Sequence, residues 1–254
     1  MLPVNIARNG FTPLQSKHLR NRYTYEQVIS AGDVSLFHFL NLGLWLPTVI
    51  VPRRGTFVDL STDIDIGIGQ TCIANATDGI DLNDYLHSEV SRTQGMIVMH
   101  QGRVVLEEYP GMRPSDGHVW MSVAKTTVSL VVRLLVEEGK INVQNAIDFY
   151  ITELCDTDWA GTSVMDLLDM RTGMDVVETQ ANREDPHSLI NRYNLAVNGE
   201  MNADGTKESQ LDVIRSAKRE KPAGEAFDYS SVITSVLVLL AEAVVDMRWS
   251  DIFR

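Results

Sequence analysis

The chain has 254 residues, with 22 Lys plus Arg against 34 Asp plus Glu, a formal net charge of −12. Hydrophobic residues make up 44% and charged residues 22%, ordinary globular usage that excludes a wholly disordered chain and a disulfide miniprotein. The acidic balance disfavours nucleic acid and anionic lipid, and no basic run is longer than Arg53-Arg54 or Lys218-Arg219, so no nucleic-acid partner is expected.

Residues 1–35 are polar and mixed, without a firm period, and MLPVNIARNG lacks the apolar run of a secretory signal. Residues 36–51 are apolar and expected to pack against a body, but His38, Asn41 and Pro47 rule out a membrane span. Residues 56–80 read as loop with a strand or two. The Asp63/Asp65/Gly67/Gly69 alternation resembles a calcium loop, but the twelfth position is Ala74, where a carboxylate is required. No metal is expected. A short helix is predicted over 81–89. The clearest hairpin follows, with strands at 95–100 and 104–109 joined through Gln101-Gly102-Arg103, where glycine supplies the unusual φ of a tight turn.

Residues 110–117 read as loop. A helix is predicted over 123–138, apolar on more than one face and therefore central, with Gly139 as its stop. Helices are also predicted near 143–150 and 163–170, the latter opening on Ser163 and stopping at Gly173. Residues 176–210 are loop-rich with one short helix near 187–195, and 207–218 is helical. Pro222-Ala223-Gly224 turns the chain into a last helix over 231–247. Its apolar tract, Val232–Val245, is broken by Thr234, Ser235 and Glu242, too short and too polar for a span. Strands before a helical block read as α+β. Cys72 and Cys155 have no metal-like spacing; one disulfide and two free buried thiols are both open. The second fits a reducing, cytoplasmic setting.

The sharpest chemical signal is Met121-Ser122-Val123-Ala124-Lys125. Ser and Lys three apart at a helix start share a face. Serine becomes a nucleophile when a neighbouring base takes its proton, and lysine is that base only where burial or positive potential disfavours its charge. The plain structural alternative is an N-cap serine and a lysine lying along the first turn. The second signal is Pro222-Ala223-Gly224-Glu225-Ala226-Phe227-Asp228-Tyr229-Ser230-Ser231, a turn leading to a tyrosine ahead of a helix. That phenol is either a proton relay or a core-edge side chain, with Ser230 or Ser231 as the cap. His118 and Trp120 lie close before Ser122 in sequence and are weaker candidates for lining the site. His100, Asp166 and Asp169 read as structural or solvent-facing, while Trp159, like Trp120, is a candidate for packing near the site.

On these two motifs the sequence resembles the serine β-lactamase-like hydrolases, which include class C β-lactamases, D-alanyl-D-alanine peptidases, family VIII esterases and 6-aminohexanoate-dimer hydrolases. Ser122-Val123-Ala124-Lys125 matches the family's S-x-x-K, and the Pro222–Ser231 stretch matches its P-G-x-x-F-x-Y-x-N. Val51-Pro52-Arg53-Arg54 and the wording of the first motif are nearest the nylon-oligomer-hydrolase-like branch. The resemblance implies a β-lactamase/transpeptidase-like α+β fold, an antiparallel sheet with a helical block. It implies an N-terminal extension over 1–80 and a catalytic domain over 81–254. It also implies acyl transfer to small esters or amides without a cofactor: Ser122 as nucleophile, Lys125 as base, Tyr229 as relay. Ser231 stands where the family has Asn, which disfavours β-lactamase and peptidase activity. The third motif, Lys-Thr-Gly or His-x-Gly on a later strand, does not occur after Tyr229. The expectation is therefore a catalytic domain without its C-terminal third, with an uncovered sheet edge prone to self-association. A non-catalytic binding or sensor domain and an inactive remnant on the same scaffold are the rival readings.

Overall fold

The computed structural model describes residues 1–52, 55–73 and 79–253. The calcium-loop register ending at Ala74 and the Arg53-Arg54 pair extend outside these residues. The chain divides into two compact units, Met1–Thr48 with Gly55–Val119, and Val49–Arg54 with Trp120–Arg254.

The first unit opens with four short helices, α1 (Asn5–Asn9), α2 (Pro13–Asn21), α3 (Tyr25–Ile29) and α4 (Asp33–His38). The sequence shows no period here because helices this short display little of a face. Their starts are nonetheless encoded locally. Thr12 and Gln15 form a reciprocal capping box around Pro13, and Thr24 caps α3 through the Gln27 N–H. Leu19, Val28, Val34 and Phe37 form a small core, and Phe37 meets Phe11 edge-on at 4.8 Å. Of the apolar stretch 36–51, only its beginning is buried: Leu36 and Phe37 are inside, whereas Val49 and Ile50 are exposed.

Strand β1 (Ser61–Thr62), helices α5 (Ile66–Gly69) and α6 (Leu82–His87), and strands β2 (Met96–His100) and β3 (Arg103–Glu108) complete this unit. Gln101 and Gly102 carry φ of 49° and 78°, the paired positive φ of a two-residue hairpin turn. The sheet order is β1-β3-β2. β2 pairs antiparallel with β3, but β1 pairs parallel with it. The sheet is therefore mixed, correcting the expected antiparallel one. β1 offered no alternation to read because it is two residues long. Among the described residues the outer edge of β2 is unpaired.

The second unit is helical: α7 (Lys125–Glu137), α8 (Val164–Leu168), α9 (Gln180–Glu184), α10 (Leu189–Asn198), α11 (Gln210–Ser216), α12 (Ser231–Val245) and α13 (Trp249–Ile252). α7 ends where expected. Lys140 and Gly139 donate to the carbonyls of Leu135 and Val136, and Gly139 has φ of 72°, the Schellman arrangement. Val128, Val132 and Leu135 of α7 join Val232, Val236 and Leu240 of α12 in one buried cluster. The opposite side of α7 leaves Leu130 and Leu134 exposed, so this helix packs on one face and is not central. Trp159 is wholly buried, and its indole N–H donates to the Ile214 carbonyl at 2.7 Å. The helix expected near 143–150 is instead two single 3-10 turns, Ile147–Phe149 and Thr152–Leu154. An Ala146–Ser163 bridge and an Asp148 carboxylate accepting from the Gly161 N–H draw this stretch into a loop. Both cysteines are free and exposed, not buried. No helix among the described residues is long and apolar enough to cross a membrane.

Candidate active site

Ser122 lies in a 3-10 turn, Met121–Ala124, that runs directly into α7. The α-helix thus begins at Lys125, and Ser122 is not its N-cap. Met121 has φ of 48°, a left-handed backbone that costs a side-chain-bearing residue about 1–3 kcal/mol. In 3-10 winding the side chains at i and i+3 eclipse, which sets Lys125 over Ser122. Lys125 Nζ donates to Ser122 Oγ at 3.1 Å. The serine oxygen thus faces an amine instead of capping the backbone. Ser122 is exposed and Lys125 half-buried, so a ligand in solvent can reach the oxygen.

Tyr229 is placed by a strapped loop. Glu220 N–H bonds the Gly173 carbonyl at 2.9 Å, Gly224 N–H the Arg171 carbonyl at 2.7 Å, and Asp228 N–H the Met170 carbonyl at 2.7 Å. Gly173 makes this approach possible. It has φ of +70°, and a Cβ there would sit 2.1 Å from the Lys221 carbonyl oxygen. Only glycine fits. Its role is therefore close backbone contact, not the end of α8, which stops at Leu168. Lys125 Nζ lies 4.9 Å from the Tyr229 ring centroid, within the range of a cation–π contact. Ser230 is the N-cap of α12 through the Val232 N–H at 3.1 Å, and Ser231 is the first residue of that helix.

Sequence reasoning missed Glu178. Its backbone N–H donates to the Tyr229 carbonyl at 3.0 Å. Its carboxylate accepts the Ser231 N–H on one oxygen and Arg183 at 2.9 Å on the other. Burial pushes this carboxyl up, but hydrogen bonds from Ser231 and Arg183 and the charge of Lys125 outweigh it and leave it below its ordinary value. Nothing in the loop-rich 176–210 stretch marked it; the nearest local signal is the Thr179 cap of α9, one residue on.

The second unit thus brings together Ser122, Lys125, Tyr229, Ser231 and Glu178. Trp120 belongs to the same unit and is exposed, its carbonyl accepting from the Val123 N–H at 3.1 Å. His118 belongs to the first unit. One ring nitrogen meets Gln94 Oε1 at 3.1 Å, the other the Val119 carbonyl at 2.8 Å. Asp166 is engaged by the Ser163 hydroxyl at 2.6 Å, a structural role.

A nucleophile candidate paired to a lysine at i+3, with a tyrosine ring against that lysine, is the arrangement the two motifs imply. The model of the β-lactamase family matches residues 86–254, a stretch that includes all three side chains. The chain belongs to the β-lactamase family, among the serine hydrolases. In sequence it is similar to the 6-aminohexanoate-dimer hydrolase of Paenarthrobacter ureafaciens, with 29% identity over 214 residues, covering 84% of this chain and 52% of that protein. In structure it is similar to a Bacillus anthracis protein provisionally assigned as a 6-aminohexanoate-dimer hydrolase. The TM-score is 0.74 at 20% identity, covering 87% of this chain and 57% of the other; that likeness is one of fold. The chain spans about half the length of these relatives.

Proposed function

We propose that this chain carries the acylation machinery of a serine hydrolase of the 6-aminohexanoate-dimer-hydrolase-like branch, acting on small esters or amides. The observation that carries this reading is the 3.1 Å Lys125–Ser122 hydrogen bond with Tyr229 against the same amine. Ser122 Oγ attacks the substrate carbonyl carbon as its proton passes to the Lys125 amine, the base of the pair. Tyr229 relays a proton to the departing alcohol or amine. Water then attacks the acyl-serine and restores Ser122. The backbone N–H of Ser122 supplies one donor to the tetrahedral oxyanion. One such oxyanion donor is worth roughly 10²–10³ in rate. Ser231 in place of Asn favours ester and simple amide substrates over β-lactams.

Labelling by a fluorophosphonate probe, read by peptide mass spectrometry, tests the reading. The expected result is one adduct on Ser122, absent from Ser122→Ala and slowed about 10²–10⁴-fold in Lys125→Ala. A folded sample that takes no adduct, or that labels equally without Ser122, overturns it.

We further propose that copies of the chain associate through the open edge of β2, where Ile97 and Met99 are exposed. Sedimentation velocity should then show a concentration-dependent dimer that Ile97→Lys disperses. A monomer at all concentrations refutes the contact. The two unpaired thiols support a reducing, cytoplasmic setting.

A further inference from the structure

Tyr229, Ser230 and Ser231 form the junction between the strapped loop and α12, and one residue holds both ends of it. The Glu178 backbone N–H grips the Tyr229 carbonyl at 3.0 Å. The Glu178 carboxylate grips the Ser231 N–H, a donor that has no partner of its own within the first turn of a helix. Its other oxygen is held by Arg183 at 2.9 Å, and the Glu178 side chain is only 9% exposed. Arg183 is itself placed, because its carbonyl on α9 accepts from Asn191 Nδ2 on α10 at 2.8 Å. The chain of contacts runs from α10 through α9 and Glu178 to the residue whose ring lies against Lys125.

We propose that Glu178 is a positioning residue for the Ser122–Lys125–Tyr229 group, fixing Tyr229 by clamping the Tyr229–Ser231 tripeptide at both ends. The proposal rests on the serine-hydrolase reading above. Glu178 touches no reacting atom. It acts through Tyr229, so its loss shows in the rate of the bond-forming step and not in affinity for the probe. The side-chain grip needs reach and an acceptor oxygen, not charge. Gln keeps the reach and one acceptor oxygen for the Ser231 N–H, and keeps the backbone bond to Tyr229, while giving up the Arg183 contact because its amide nitrogen only donates; Ala loses the side-chain grip altogether.

The test compares the parent chain, Glu178→Ala and Glu178→Gln. The maximal fluorophosphonate labelling rate and the half-saturating probe concentration are measured separately. Amide hydrogen exchange is followed in the peptide that contains Ser231. Glu178→Ala is expected to lower the maximal rate about tenfold or more with half-saturation nearly unchanged. Its Ser231 amide is expected to exchange about tenfold faster while the α7 amides keep their protection. Glu178→Gln is expected to recover the rate to within about threefold of the parent. Should Glu178→Ala not fold, Glu178→Gln against Glu178→Asp, which keeps charge but loses reach, gives the same contrast: Gln fast, Asp slow. If the parent labels on Ser122 and neither Ala nor Asp slows it, the positioning role is wrong and the hydrolase reading stands. If Gln is as slow as Ala or Asp, reach is not what matters and the proposal fails. If the parent takes no adduct on Ser122, the hydrolase reading falls first and the positioning role with it.

Discussion

The two units solve the same problem with very different resources. The first buries Leu19, Val28, Val34 and Phe37 among half-buried aromatics, and its sheet is one hairpin with a two-residue third strand. The second buries a continuous cluster from Val128 to Ala241, with Trp159, Leu167, Met174 and Leu240 fully inside. The proposed nucleophile, base and relay, Ser122, Lys125 and Tyr229, all sit on the second, at the starts of α7 and α12 or on the loops strapped to them. A nucleophile, base and relay must hold their geometry to fractions of an ångström. Two helices packed through a buried apolar core supply that rigidity, and a short hairpin does not.

The strongest way to break this comparison is to cut a cavity in each core. Leu240→Ala in α12 removes a fully buried side chain that closely packed neighbours cannot replace, and should cost about 2–5 kcal/mol. Leu19→Ala in α2 should cost near the lower end of that range, because its half-buried neighbours can collapse around it. Urea unfolding followed by peptide-resolved hydrogen exchange separates the two. Leu240→Ala is expected to weaken protection across α7 and α12 and to slow Ser122 labelling. Leu19→Ala is expected to loosen α2–α4 and leave labelling near the parent rate. Equal losses in both units from either substitution would show that they unfold as one body and that the contrast is false.

What could be read from the sequence follows the same division. The hairpin was legible because Gln101-Gly102 sits between two runs of β-formers. The α7 and α12 helices were legible because each is long enough to show a period and has a marked end, Gly139 or Ser230. Ser122, Lys125 and Tyr229 were legible as motifs, since their spacing is local. Glu178 was not, because its partners Tyr229 and Ser231 are about fifty residues away, and no local pattern encodes such a pairing. The four N-terminal helices were missed for the opposite reason: the signal is entirely local, in the Thr12–Gln15 box and the Thr24 cap, and it was outweighed by the lack of an apolar period. Gly173 reads as a helix stop in the sequence because glycine's commonest use hides its rarer one, letting a second backbone come close.

A smaller effect sharpens the comparison through pH. In the first unit His38 is buried against Trp45 and Tyr23, and burial lowers it from its ordinary 6.5. In the second, Glu178 lies below its ordinary 4.5. Both groups bind fewer protons folded than unfolded between the folded and ordinary values, so both make stability fall as pH falls. The windows differ. The His38 contribution is intact above 6.5 and erodes below it, while the Glu178 contribution is intact above 4.5 and erodes only in the acid range beneath. Hydrogen exchange from pH 7 downward should therefore show α2–α4 opening first, with the α12 start holding until the carboxylate range. His38→Phe, which keeps a ring beside Trp45 but cannot take a proton, should flatten the first limb alone. Arg183→Met removes one of the hydrogen bonds holding Glu178 ionised. It should lower the stability of the second unit at neutral pH and make its acid limb shallower, because the folded carboxyl then titrates nearer to its unfolded value. If the second unit loosens first, or if His38→Phe leaves the early limb unchanged, the proton-linked difference between the units lies in other groups.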